Sequence, residues 1–232
     1  PRNKPSQRAR PGLYQLIEFL FEGIILKETP FLWFDEACVP ERGASKHPAE
    51  HEARSKFLDK GYQAAVNTMK LKGAKHYPAL AYFENNANRY LLETQELLSI
   101  PSISSDEKHN GDMQKAAAWI GKRLSQAGVE AVEIIQTEGH PIVFGRSLQA
   151  GASAPTVLIY GHYDVQPPEP LASWKTKPFE PVIIGDSLCA RGATDMKGAL
   201  MVSVAALEAV NQGGKMPVNI KFVLEGEEEV GS

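Results

Sequence analysis

The chain has 232 residues, 43% hydrophobic and 23% charged, with a formal net charge of −3. That mix belongs to a soluble globular protein and argues against a disordered, collagen-like or membrane-spanning chain. The charge balance gives no basic excess of the kind nucleic-acid binders carry, and the two cysteines, Cys38 and Cys189, cannot build a disulfide framework. A reducing, cytoplasmic setting is therefore expected, with no nucleic-acid or membrane partner.

The chain opens on Pro1 and stops at Ser232, just after an acidic cluster, so truncation at both ends is expected. Residues 1–80 carry a balance of +4 and residues 81–232 one of −7, which places a boundary near residue 80. Residues 1–78 read as an N-terminal extension of unknown role, partly disordered and partly helical. Residues 1–12 are polar with two prolines. Residues 13–26 suit an amphipathic helix, too short to span a bilayer and interrupted by Glu18 and Glu22. Residues 35–48 read as loop and 49–69 as a weakly apolar helix. Met69 is an alternative start, with the upstream residues an artefact.

From Pro78 the pattern sharpens. Residues 80–100 read as a helix stopped by Pro101. Residues 102–110 are a polar loop, and 112–127 a second helix ended by Gly128 as a C-cap. Strands are expected over 129–136, 141–145 and 156–160, the last (TVLIY) apolar throughout. Residues 182–184 and 187–190 suit a hairpin around Gly185-Asp186. A long helix over 195–211 ends at Gly213-Gly214, and VNIKFVL (218–224) is another buried strand. Helices alternating with apolar strands predict an α/β sandwich.

Three clusters carry chemistry. GHYDVQP (161–167) follows the strand TVLIY. His162 and Asp164, two residues apart, project to one side of an extended backbone, where a carboxylate can orient an imidazole that binds zinc. ARGATDMKG (190–198) lies between a strand and a helix, where α/β proteins place ligands. EGEEEVGS (225–232) follows the strand VNIKFVL, and its adjacent carboxylates repel unless a cation neutralises them. Each cluster alone has a plainer reading: an exposed or capping histidine, an aspartate N-cap for the next helix, a solvated acidic face. Together, a histidine, an aspartate and a glutamate at strand ends suit a hydrolytic site with two metals, zinc first, with manganese or cobalt as alternatives.

The three motifs, in this order and at this spacing, resemble the di-metal peptidase family of carnosinase-type dipeptidases, aminoacylases, glutamate carboxypeptidases, and acetylornithine and succinyl-diaminopimelate deacylases. YGHYDVQPPEPLASWKTKPFEPVI is most similar to the dipeptidase branch. The similarity runs from about Ala81 to Ser232. It implies an incomplete three-layer sandwich over residues 79–232, with a mostly parallel or mixed sheet flanked by helices. It further implies two divalent ions, with His162 on one, Glu229 on the other and Asp195 bridging them. Asp164 would hold His162, and Glu228 would be the general base acting on a bridging water. Glu227 would lie outside the pair, and the Asp195–Met196 peptide would be cis.

The family has five ligand positions and this sequence shows three. The other two, and a dimerising lid that helps bind substrate, would lie beyond Ser232. The expected activity is hydrolysis of a dipeptide amide bond by a protein that is homodimeric through its lid, with the 232-residue chain an inactive fragment. The alternatives are an N-acyl amino acid deacylase and a non-catalytic truncated relative. Cys189 is expected to pack in a strand, Trp174 and Phe179 to pin the loop after the histidine motif, and Lys197 to be structural.

Overall fold

The computed structural model describes residues 78–231 except Asp186 and Lys215. The expectations for residues 1–77, including the helices there and the start at Met69, lie outside the described residues. In chain order the main elements are α1 (Pro78–Leu98), α2 (Asn110–Gln126), β1 (Ala131–Ile135), β2 (Ile142–Ser147) and β3 (Thr156–His162). There follow β4 (Val182–Ile184), β5 (Ser187–Cys189), α3 (Gly198–Gly213) and β6 (Asn219–Glu225).

Local sequence explains the boundaries. In α2 the buried residues Met113, Ala116, Ala117, Ile120 and Leu124 recur at helical spacing. The helix ends where expected, because Gly128 adopts a φ of 92° that a side chain resists. Its N–H donates to the Ser125 carbonyl, and Val129 N–H donates to that of Leu124, which satisfies the last turn in a Schellman arrangement. α3 begins three residues later than expected, because residues 193–197 form a separate wide turn.

β1, β2, β6 and β3 form one sheet in that spatial order. β1 pairs antiparallel with β2, and β2 with β6, while β3 and β6 run parallel. The sheet is therefore mixed. Parallel strands need a crossover, and α3 supplies it. The consequence for function is in the register: His162 at the end of β3 lies opposite Glu225 at the end of β6. Two of the three motifs thus emerge side by side.

The helices pack on one face of this sheet. Val143, Ile220, Phe222 and Leu224 share a buried core with Ile120 and Leu124 of α2 and Leu200 and Val204 of α3. Burying a side chain of this kind contributes about 1.5–3 kcal/mol. On the other face of β3, Leu158 and Tyr160 are 60% and 54% exposed. The expected α/β architecture is present, with the sandwich's second helical side open among the described residues. A buried ionic cluster joins the three helices. Glu208 of α3 receives hydrogen bonds from Tyr82 (3.0 Å) and Arg89 (2.6 Å) of α1 and from Arg123 of α2. No helix among the described residues is long and apolar enough to cross a membrane.

Candidate metal centre

Three segments meet beyond the ends of β3 and β6. The first is the 162–166 stretch, which leaves β3 and is held by a bridge between Ile103 and Val165. The second is the 193–197 turn. It starts from Gly192 at φ 79°, where an added Cβ would meet Val165 Cγ1 at 2.6 Å, so only glycine allows this approach. The Lys197 N–H donates back to the Gly192 carbonyl at 3.0 Å. Within the turn Asp195 has extended backbone (φ −121°, ψ 102°), and the Asp195–Met196 peptide is cis. The third is a short helical turn, Glu228–Val230, after β6.

Lys197 anchors the second segment. Its side chain is fully buried, and Nζ donates to the carbonyls of Leu97 (3.2 Å) and Ile100 (2.7 Å) at the end of α1. Burial lowers its amine to about 7 against the pull of Asp112 and Asp164. It is structural, as the sequence suggested.

His162 Nε2 lies 3.0 Å from Asp195 Oδ1 and 3.9 Å from Glu228 Oε2. One donor atom each from His162, Asp195 and Glu229 lie within 4.8 Å of one another. On the other side of the ring, His162 Nδ1 lies 3.2 Å from both the main-chain oxygen and Oδ1 of Asp164. The main-chain oxygen is the hydrogen-bond partner, and Oδ1 acts through its charge. Asp164 is fully buried. Its Oδ2 accepts from Ser104 Oγ (2.7 Å) and from Glu229 N–H (3.1 Å).

The electrostatics follow from this packing. Burial pulls the His162 pKa down, but the Asp164 and Asp195 carboxylates outweigh it and raise it to about 9. Burial pushes Asp164 up, but His162, Ser104 and the Glu229 N–H more than offset this and hold its carboxyl below the ordinary range. Gln166 Nε2 donates to both Glu229 O (3.1 Å) and Glu229 Oε2 (2.8 Å), which fixes that side chain.

All five candidate residues therefore come to one place. His162, Asp195 and Glu229 converge, Asp164 stands behind His162, and Glu228 reaches in from a 46% exposed position. Glu227 turns away, its carboxylate set against Gly139. The plainer readings do not describe these residues. His162 is 4% exposed, and no side chain caps α3, so Asp195 is not its N-cap. The acidic run is split among partners instead of lining one solvated face.

Trp174 donates to the Pro168 carbonyl (2.8 Å) beneath the Arg191 guanidinium, which pins the loop as expected. Cys189 is buried in β5, packed in a strand as expected. Two contributors were not singled out in the sequence. Gln166 lies inside GHYDVQP, where a signal existed. Ser104 lies 60 residues before its partner, in a loop that no motif marks.

An imidazole nitrogen and two carboxylate oxygens converging on one point form the mixed N/O donor set that zinc accepts, with manganese and cobalt compatible. Asp164 provides the carboxylate contact that typically orients a metal-binding imidazole. The residues present thus fit a divalent cation.

Comparison with known proteins agrees. Residues 158–232 match the family described as Peptidase family M20/M25/M40. The cysteinylglycine-S-conjugate dipeptidase of Corynebacterium striatum is 32% identical over 146 residues, covering 63% of this chain and 32% of that protein. The Beta-Ala-His dipeptidase of Mus musculus is 38% identical over 116 residues, covering 46% of this chain and 23% of its own length. The succinyl-diaminopimelate desuccinylase of Shewanella pealeana is 35% identical over 136 residues, covering 58% and 33%. The structure of the dipeptidase Dug1p from Saccharomyces cerevisiae superposes with a TM-score of 0.61 at 30% identity, covering 67% of this chain and 35% of that one. The chain spans about a third or less of the length of these relatives.

Proposed function

We propose, from a chain whose residues 158–232 carry the M20/M25/M40 peptidase pattern, that it supplies part of the catalytic site of a metal-dependent dipeptidase. The observation that carries this reading is the convergence of His162, Asp195 and Glu229 within 4.8 Å. These three residues would hold two divalent ions, zinc first, with Asp195 shared between them. Such ions, when bound, polarise an amide carbonyl and lower the pKa of a water molecule.

The chain's own residues do the rest. With an ion bound, His162 would be neutral, its proton on Nδ1 facing the Asp164 main-chain oxygen and its Nε2 free to bind. Asp164 and Gln166 hold the His162 and Glu229 side chains in place. Glu228 sits at the rim within reach of the cluster and is the general base. It takes a proton from the attacking water and returns one to the leaving amine.

A second reading is hydrolysis of an N-acyl amino acid, which the similarity to a desuccinylase supports. A panel of dipeptides and acylated amino acids, assayed on the complete gene product with added zinc, separates the two. The dipeptidase reading expects the dipeptides to be turned over; turnover of acylated amino acids alone would replace it. Because the chain spans a third or less of its relatives' length, the 232-residue chain by itself is expected to hold metal weakly and turn over little substrate. Full zinc-dependent turnover by this chain alone would contradict that.

A further inference from the structure

We propose that Ser104 is a positioning residue for the metal centre, setting the Asp164 carboxylate that holds both His162 and the backbone of Glu229. The inference rests on the reading that His162, Asp195 and Glu229 bind the metal.

The Asp164 carboxylate is fully buried and has two tasks on opposite sides. Oδ1 faces His162 Nδ1 at 3.2 Å, and Oδ2 accepts the Glu229 N–H at 3.1 Å. Both tasks depend on the orientation of one plane. The terminal torsion of an aspartate is broad, so a single hydrogen bond sets that plane loosely. The Ser104 hydroxyl supplies a second donor to Oδ2, at 2.7 Å, and this is the shorter of the two contacts. With both donors on Oδ2, Oδ1 stays turned to the imidazole.

Ser104 is itself held firmly. Two residues earlier, Ser102 Oγ donates to the Tyr163 carbonyl (2.6 Å), and the Ser102 carbonyl accepts from Val165 N–H (2.9 Å). Ile103 bridges to Val165, and the Ser104 carbonyl lies 3.1 Å from His140 Nε2. The loop is therefore tied to the metal-centre strand through its backbone and Ser102. That leaves the Ser104 hydroxyl with a separate task. It touches the carboxylate that aligns one ligand through its side chain and another through its main chain.

The test measures zinc affinity and thermal stability separately on the complete gene product, by calorimetric titration with zinc and by melting of the metal-free protein. Ser104→Ala is expected to weaken zinc binding about tenfold, the low end for loss of a group that supports a metal ligand. Ser104→Thr, which keeps the hydroxyl, is expected to retain wild-type affinity, as is Ser105→Ala in the same loop. If Ser104→Ala does not melt cooperatively, the comparison passes to Ser104→Val against Ser104→Thr, which match in shape and differ in the hydroxyl. Wild-type affinity in a folded Ala or Val variant would overturn the role of Ser104 and leave the metal centre standing. Absence of zinc binding by the wild type, or binding unchanged in His162→Ala, would overturn the metal centre and this inference with it.

Discussion

His162 Nε2 and Asp195 Oδ1 lie 3.0 Å apart although 33 positions separate them in the chain. The contact exists because β3 delivers the histidine at the sheet's edge and a glycine-started turn brings the aspartate back to it. Glu229 joins them from the end of β6, the strand paired parallel with β3. If these side chains share a cation, removing any one should cost affinity. His162→Ala and Asp195→Asn are each expected to weaken zinc binding by more than the roughly 10–100-fold typical of a supporting residue. Calorimetric titration of the folded variants checks this, and unchanged affinity in either would remove that residue from the site.

Glu208 makes a prediction remote from the chemistry. It is 5% exposed and shares its carboxylate with Arg89, Arg123 and Tyr82. Glu208→Gln leaves buried Arg123 with Glu93, at 2.7 Å, as its remaining carboxylate partner, and is expected to destabilise the fold by about 2 kcal/mol, the scale for removing one partner of a buried hydrogen bond. Urea unfolding at neutral pH measures it; a loss near zero would mean that Glu93 alone neutralises Arg123.

The same pair sets an acid limit. Burial pushes the Glu208 carboxyl up, but Arg123 and Arg89 more than offset this and hold it below its ordinary value of 4.5. A depressed folded pKa means that the stabilisation is complete above that ordinary value and is lost as pH falls through the lower, folded one. The wild type's advantage over Glu208→Gln is therefore expected to be constant near neutrality and to shrink in acid. An advantage unchanged down to the acid transition would contradict the assignment.

The two faces of the sheet should differ sharply. Phe222 is fully buried on the helix side, so Phe222→Ala is expected to cost about 3–5 kcal/mol. Leu158, 60% exposed on the other face, should tolerate Leu158→Ala within about 0.5 kcal/mol. Equal losses would mean that the open face of β3 is covered in solution.

Much of this was legible in the sequence, for identifiable reasons. The apolar runs TVLIY and VNIKFVL marked strands and, with them, the motifs at their ends, but TVLIY read as buried throughout, whereas Leu158 and Tyr160 are exposed on one face of β3 at the sheet's edge. Gly128 marked the end of α2 because only its positive φ allows the closing hydrogen bonds. The parallel pairing of β3 with β6, which sets His162 opposite Glu225, depends on tertiary contacts that periodicity does not encode. Arg89, Arg123 and Glu208 belong to no sequence motif, and only the packing of three helices reveals that they meet. Ser104 was hidden for the same reason, since a serine in a polar loop carries no pattern until its partner is placed beside it.

The proposed mechanism has the cluster around His162 hydrolyse an amide with Glu228 as base. The most direct measurement compares zinc-loaded wild type and Glu228→Gln, made in the complete gene product, for dipeptide turnover and zinc content together. Glu228 lies 3.9 Å from His162 and is outside the set of converging donors, so the variant should keep its zinc. Its kcat should fall by about 10²–10⁴, the usual contribution of a general base. Turnover unchanged in Glu228→Gln at full zinc content would contradict the claim.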